Sequence, residues 1–375
     1  MNKQFSEDET QVIGGNPVFP AAQGLFADYG LPPMDAEPIF NRPISTKENF
    51  KLALDGKVPC WAPFGGFWFC DSLIFAPRQL IDNYANHLVL DGCGEMVYPS
   101  LTLPGLFDLE WEYVPVAGGA TVHPGDPKVP DMANWEKYIT MPSADDIDWD
   151  AIGAGNKEYL SSDRLNTLHM LNGPWERLMS LMNVDYAALA LIDDDQKPGI
   201  HRFLDQYCTY FDQILEHITK VCDLDSVMMH DDWGHQNGPF FSHDTAEELL
   251  FPYLKRIVAS CHDHGLYYEQ HSCGRNETFI DLYVKAGVNL YCPQAINDFD
   301  VILEKAKGSQ LVIGVPSPML PMDASEEMVQ QAAEEWFSQS KGYHVAVGTM
   351  TPHPGFNAAV YRLTREEYAK EFALI

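Results

Sequence analysis

The most constraining feature of this chain is a recurrence: from Lys57 onward, short apolar runs alternate with stretches of helical character. The runs are Val58-Pro59-Cys60-Trp61-Ala62, Glu95-Met96-Val97-Tyr98-Pro99, Thr167-Leu168-His169-Met170-Leu171, Ser226-Val227-Met228-Met229-His230, Leu266-Tyr267-Tyr268-Glu269-Gln270-His271, Val288-Asn289-Leu290-Tyr291-Cys292, Leu311-Val312-Ile313-Gly314-Val315 and Tyr343-His344-Val345-Ala346-Val347. Runs of this length bounded by turn residues fit buried parallel strands, and repeated strand-helix units point to an α/β fold. Eight such strands predict a (β/α)₈ TIM barrel. A doubly wound open sheet is the alternative, but no G-x-G-x-x-G or P-loop pattern supports nucleotide binding. One helix is expected from Asp244 to His264, with Ser242 and Asp244 as candidate caps and Gly265 as its stop. Others are expected after Arg275, after Ser325 and from Thr364, where Thr364-Arg365-Glu366-Glu367 has capping-box form.

Two segments break the rhythm. Residues 1–47 are rich in Pro, Gly and acidic side chains and read as an extended arm or partner-contacting segment ahead of a barrel spanning 48–375. Leu101 to Asp150, with its Pro, Gly and Trp, reads as a long insertion near the active face. With 375 residues and 46% apolar content, the chain can bury a large core. Fifty-four acidic against 24 basic residues give a formal charge of −30, which argues against nucleic acid or an anionic membrane surface as a partner. There is no apolar h-region at the start and no run of about 18 apolar residues, so a cytoplasmic location is expected. The eight cysteines are spread widely and are expected to be reduced thiols.

Chemistry concentrates in Glu269-Gln270-His271-Ser272-Cys273-Gly274. Alternation along a strand puts Glu269, His271 and Cys273 on one face, where carboxylate, imidazole and thiolate suit Zn²⁺. Cys292, at the end of the next strand, is a fourth candidate, with water, substrate or His353 completing the set. His230, Asp231 and Asp232 end the preceding strand and are candidate proton donors, as is His353. Neighbouring strand residues point to opposite faces, so only one of Asp231 and Asp232 is expected to face the site. The run Trp61, Phe64, Phe67, Trp68 and Phe69 offers an aromatic wall for a flat substrate or a quaternary ammonium, with Gln294 and Asn297 as polar contacts.

Several stretches together resemble the uroporphyrinogen decarboxylase superfamily, and within it the corrinoid-linked methyltransferase branch that includes O-demethylase methyltransferases. They are Lys57-Val58-Pro59-Cys60-Trp61, Leu171-Asn172-Gly173-Pro174-Trp175-Glu176-Arg177-Leu178, Asp231-Asp232-Trp233-Gly234, Phe251-Pro252-Tyr253-Leu254-Lys255-Arg256, His271-Ser272-Cys273-Gly274, Pro293-Gln294-Ala295-Ile296-Asn297-Asp298 and Leu363-Thr364-Arg365-Glu366-Glu367-Tyr368. The resemblance implies a (β/α)₈ barrel, frequently a homodimer, with its site at the carboxyl ends of the strands. In the methyltransferase branch the His-x-Cys-Gly motif binds zinc together with a cysteine near the last strand. Here the corresponding stretch, Gly348-Thr349-Met350-Thr351-Pro352-His353, offers His353 instead.

The reaction so implied moves a methyl group from a small methylated substrate, a methoxylated aromatic above all, to the Co(I) corrinoid of a separate partner protein. Zinc or an acid would assist the leaving oxygen. The second reading is decarboxylation of a tetrapyrrole-like acid. That activity relies on an arginine-rich loop after the first strand, whereas this chain reads Ala62-Pro63-Phe64-Gly65-Gly66-Phe67-Trp68-Phe69-Cys70 and has no further arginine until Arg78. The third is a non-catalytic barrel that binds a small ligand.

Overall fold

A computed structural model describes residues 4–19, 36–65, 71–80, 82, 89–93, 105–114, 119–123, 125–160, 163–348 and 353–372. Its centre is one parallel sheet of eight strands: β1 (Phe64–Gly65), β2 (Ser72–Phe75), β3 (Leu165–Met170), β4 (Ser226–His230), β5 (Tyr267–Ser272), β6 (Leu290–Pro293), β7 (Val312–Pro316) and β8 (Val345–Gly348). They pair in the order β1-β8-β7-β6-β5-β4-β3-β2, which wraps the sheet nearly into a ring. At the remaining seam, the Asp71 N–H donates to the Phe64 carbonyl at 3.0 Å and the Asp71 carboxylate accepts from the Phe64 N–H at 3.0 Å. The fold is a (β/α)₈ TIM barrel.

The helices are α1 (Thr46–Leu54), α2 (Trp149–Asn156), α3 (Pro174–Met182), α4 (Val184–Ala190), α5 (Lys197–Val221), α6 (His243–Leu249), α7 (Phe251–Asp263), α8 (Ile280–Ala286), α9 (Phe299–Ala306), α10 (Glu326–Ser340) and α11 (Pro354–Phe372). No helix among the described residues is long and apolar enough to cross a membrane. Strand residues such as Leu168, Val227, Met229, Tyr268, Tyr291, Ile313 and Val347 face the helical layer and join the main core. The alternate residues face the barrel axis.

The amino-terminal mouth of the barrel is closed by α1. Ser45 caps this helix through a capping box with Glu48. Phe50, Ala53 and Leu54 then enter a cluster with Leu165, Leu290, Cys292, Val312 and Ala346. A Cβ at Gly65 would lie 2.3 Å from the Phe50 ring, so glycine is what lets the plug seat. Charges around this end are matched: Lys47 and Lys51 reach Asp225 at 2.8 and 2.6 Å, Arg42 reaches Asp71 at 3.4 Å, and buried Arg365 reaches Glu9 at 3.0 Å. The described residues of the expected arm thus lie against the barrel, with Val12–Pro17 and Ala36–Phe40 paired antiparallel.

Six of the eight expected strands coincide with β3 to β8. The first begins at Phe64 rather than Val58. The pairing partner of β3 on its outer side is Ser72–Phe75, while the expected run Glu95–Pro99 lies outside the described residues. The single helix expected from Asp244 to His264 is two, α6 and α7, separated at Leu250. Pro252 has no N–H for a continuous helix and starts the second one. Ser242 caps α6 through the Thr245 N–H, and Gly265, at φ +77°, ends the pair. Thr364 caps nothing: it lies inside α11, where its hydroxyl donates to the Val360 carbonyl at 2.8 Å and accepts from the Ala62 N–H at 3.1 Å.

Candidate metal centre

The carboxyl ends of β4 and β5 bring His230, Asp232, His271 and Cys273 together, with ligand atoms all within 4.8 Å of one another. His271 Nε2 lies 3.4 Å from Cys273 Sγ, and His230 Nε2 lies 4.0 Å from the same sulfur. The two imidazole rings are 4.6 Å apart. With bonds of about 2.0–2.3 Å, the edges of a tetrahedral zinc centre are roughly 3.3–3.8 Å, so these separations are on the right scale.

Both imidazoles are held from behind. His230 Nδ1 lies 2.8 Å from the Glu176 carboxylate, which leaves Nε2 turned toward the sulfur. The His271 ring hydrogen-bonds the Cys292 backbone carbonyl, and its Nε2 likewise faces Cys273. Histidines that ligate metals are ordinarily fixed in this way, by an acceptor on the nitrogen that does not bind.

The electrostatics of the cluster follow from burial and from the charges its members place on one another. Burial, helped by the Asp232 carboxylate, pushes the Cys273 thiol up to about 12. Burial and the neighbouring His230 push His271 down to about 3. At His230 burial acts downward, but the Asp232 and Glu176 carboxylates overcome it and hold the imidazole well above its usual range. Two neutral imidazoles, one carboxylate and one thiolate carry two negative charges, which would neutralise a divalent cation, and that cation would release the thiol proton. The mixed nitrogen, sulfur and oxygen set suits zinc best among the common metals.

Of the four ligands expected from sequence, His271 and Cys273 belong to this cluster and Glu269 and Cys292 do not. Glu269 shares their strand face but sits one step deeper and is fully buried. One of its oxygens accepts from Ser226 and, at 3.2 Å, from Thr167, the other has no partner, and burial lifts its pKa to about 7. Cys292 is buried beside Gly314, where a Cβ would come within 3.2 Å of its sulfur.

The two adjacent aspartates do part company. Asp232 faces the cluster and accepts from the Cys273 N–H. Asp231 faces the helices: it accepts from the Glu176 N–H at 2.9 Å, the Trp175 N–H at 3.4 Å and the Trp233 indole at 2.7 Å. It therefore caps α3, whose N-cap residue, Gly173, has no side chain to do so. A Cβ at Gly173 would meet the Asp231 Cβ at 2.5 Å. Asp231, a candidate proton donor from sequence, therefore lies outside the four-residue group.

His353 precedes α11 and is outside the four-residue group. Its carbonyl accepts from the Asn357 N–H, while its Nδ1 is buried without a partner. Trp61 and Phe64, expected to line a pocket, are 0% and 2% exposed in the main core. Trp61 enters from below β1 and packs on Tyr361, with the Arg42 guanidinium 4.9 Å over its ring. Phe67 and Trp68 lie outside the described residues. Gln294 and Asn297 brace the loop after Cys273: Gln294 accepts from the Gly274 N–H at 2.8 Å, and Asn297 donates to the Gly274 carbonyl and accepts from the Asn276 N–H, both at 2.8 Å. Asp298 is the cap of α9. Glu176 was not foreseen as part of the site. Its signal is positional, the first turn of a helix opening directly on a strand end.

The family model for uroporphyrinogen decarboxylase (URO-D) matches residues 117–354. No curated protein matches the chain. Among solved structures, a methyltransferase from Methanosarcina mazei superposes with a TM-score of 0.53 at 16% identity, over 87% of this chain and 99% of that one. A B12-independent methionine synthase from Shewanella sp. W3-18-1 gives a TM-score of 0.34 at 9% identity, over 68% and 71% of the two chains. Since the family match spans more than half of its residues, the chain belongs to the uroporphyrinogen decarboxylase (URO-D) family.

Proposed function

We propose that this chain is a methyltransferase that takes a methyl group from a small methylated substrate, a methoxylated aromatic, and delivers it to the Co(I) corrinoid of a separate protein. The observation that carries this reading is the convergence of His230, Asp232, His271 and Cys273 at the carboxyl face of the barrel, with both imidazoles anchored from behind. These four residues would hold zinc. A bound zinc ion supplies Lewis acidity toward the ether oxygen.

In the transfer, the Co(I) electron pair forms the new carbon–cobalt bond as the carbon–oxygen bond breaks, and that bonding pair stays on the departing phenoxide. With zinc bound, His230 and His271 would be the neutral donors, and Asp232 and Cys273 the anionic ones. Gln294 and Asn297 hold the backbone that carries Cys273. The acidic chain favours a corrinoid partner with a basic docking face, so their association should weaken as salt rises.

Decarboxylation of a polycarboxylate is the less favoured reading, because such a substrate needs free cations. Of the arginines that follow strands at the carboxyl face, Arg177 is engaged with Asp82 and Arg275 lies 3.9 Å from Glu277, so the described residues show no cluster of arginines there. The deciding experiment is metal analysis of the wild type, Cys273→Ser and His271→Ala, coupled to demethylation with a Co(I) corrinoid protein. Stoichiometric zinc and methyl transfer in the wild type, both lost in the variants, are expected. A metal-replete wild type that transfers no methyl group from any methoxylated aromatic would overturn the substrate reading.

A further inference from the structure

The geometry points to Glu176 as the positioning residue that sets the metal centre, a role that rests on the metal-site reading above. One carboxylate makes three contacts around the site. Its Oε1 accepts from His230 Nδ1 at 2.8 Å and from the Asp232 N–H at 3.2 Å, while its Oε2 accepts from the Asn172 N–H at 3.1 Å. The first contact fixes the ring orientation of one proposed ligand. The second fixes the backbone of another. The third pins the turn after β3, where Asn172 takes a left-handed conformation at φ +62°.

The linkage also runs in reverse. The Glu176 N–H donates to Asp231, the residue between the two proposed ligands, at 2.9 Å. Glu176 and the segment 230–232 therefore define each other's place through side chain and backbone together. The mount is firm, because α3 packs Trp175, Leu178 and Leu181 into the main core. On the next residue, buried Arg177 is paired with Asp82, and Asp82 also accepts from the Asn172 side chain at 2.9 Å. A carboxylate on a rigid helix is thus the element that selects which nitrogen of His230 faces the sulfur.

The test is cobalt(II) binding by the full chain, followed by chelator competition and by the thiolate and ligand-field bands of the visible spectrum. Wild type is compared with Glu176→Gln and Glu176→Ala, each confirmed as folded by circular dichroism. Glu176→Ala should bind cobalt about 10–100-fold more weakly with shifted bands, and Glu176→Gln, which keeps one acceptor, should fall between. If Glu176→Ala does not fold, Glu176→Gln decides alone. Wild-type affinity and an unchanged spectrum in a folded variant would overturn the role of Glu176. Failure of the wild type itself to bind cobalt would instead overturn the metal centre, and the inference with it.

Discussion

The two ends of the barrel interior are built from the same strands yet solve opposite problems. At the amino-terminal end, Phe50 and its apolar neighbours fill the axis, and the surrounding carboxylates at Asp225, Asp71 and Glu9 each meet a cation. At the carboxyl end, Glu176, Asp232, His230, His271 and Cys273 face one another, and no lysine or arginine pairs with Asp232 or Glu176 among the described residues. One end spends its polar groups on closure. The other gathers metal-ligand types of side chain, and among the described residues His230 is the basic partner of both Asp232 and Glu176.

The sharpest way to break this contrast is to damage the closed end. Phe50→Ala should cost about 3–5 kcal/mol of unfolding free energy, because it empties a fully buried aromatic site, and should leave metal affinity in the remaining folded protein within twofold. Denaturant unfolding and chelator competition measure the two quantities, and a large loss of affinity would mean that the ends are not independent.

At the open end, His271→Ala should lower zinc affinity at least about 100-fold, equivalent to about 2.7 kcal/mol, whereas Glu269→Gln and Cys292→Ser should keep the wild-type stoichiometry. Zinc loss on replacing Glu269 would move the centre one step deeper into the barrel.

The smallest expected effect concerns protons. Burial, with His230 and His271 nearby, pushes His169 down to about 3, and His271 is pushed to a similar value. The folded protein therefore keeps both imidazoles neutral while the unfolded chain takes up protons below about pH 6.5. Their contribution to stability is present above that pH and is lost as the pH falls toward 3. In metal-free protein, His169→Gln should flatten the dependence of unfolding free energy on pH in that window by up to about 1.4 kcal/mol per unit. An unchanged slope would show that His169 is protonated in the folded state.

Periodicity made most of the barrel legible, because buried parallel strands carry dense apolar runs whatever their function. The short Ser72-Leu73-Ile74-Phe75 strand was hidden beside an aromatic-rich stretch, and four residues carry little periodic signal. Alternation likewise identified the face shared by Glu269, His271 and Cys273, but a face is not a depth. Successive inward residues on one strand lie about 7 Å apart along it, so Glu269 falls into the layer below the cluster. His230 and Asp232 were visible as strand-end residues, yet their place beside Cys273 depends on the register of β4 against β5, which pairs His230 with His271. Register is a property of two segments, and neither one contains it. Glu176 was the hardest to read, since its part in the site depends on where a helix begins relative to a strand 54 residues later.

The way the barrel is closed from below also has a kinetic side. Phe50 belongs to a helix made early in synthesis, but its partners Leu165, Leu290, Val312 and Ala346 are spread over the rest of the chain. The Arg365–Glu9 contact joins positions 356 residues apart. Ordering these pairs requires closing very long loops before the contacts repay the entropy, which places final closure late and makes it slow. Until β8 has been made and seated, the underside of the ring and the apolar face of α1 stand open to water, and in that interval the protein is most exposed to aggregation.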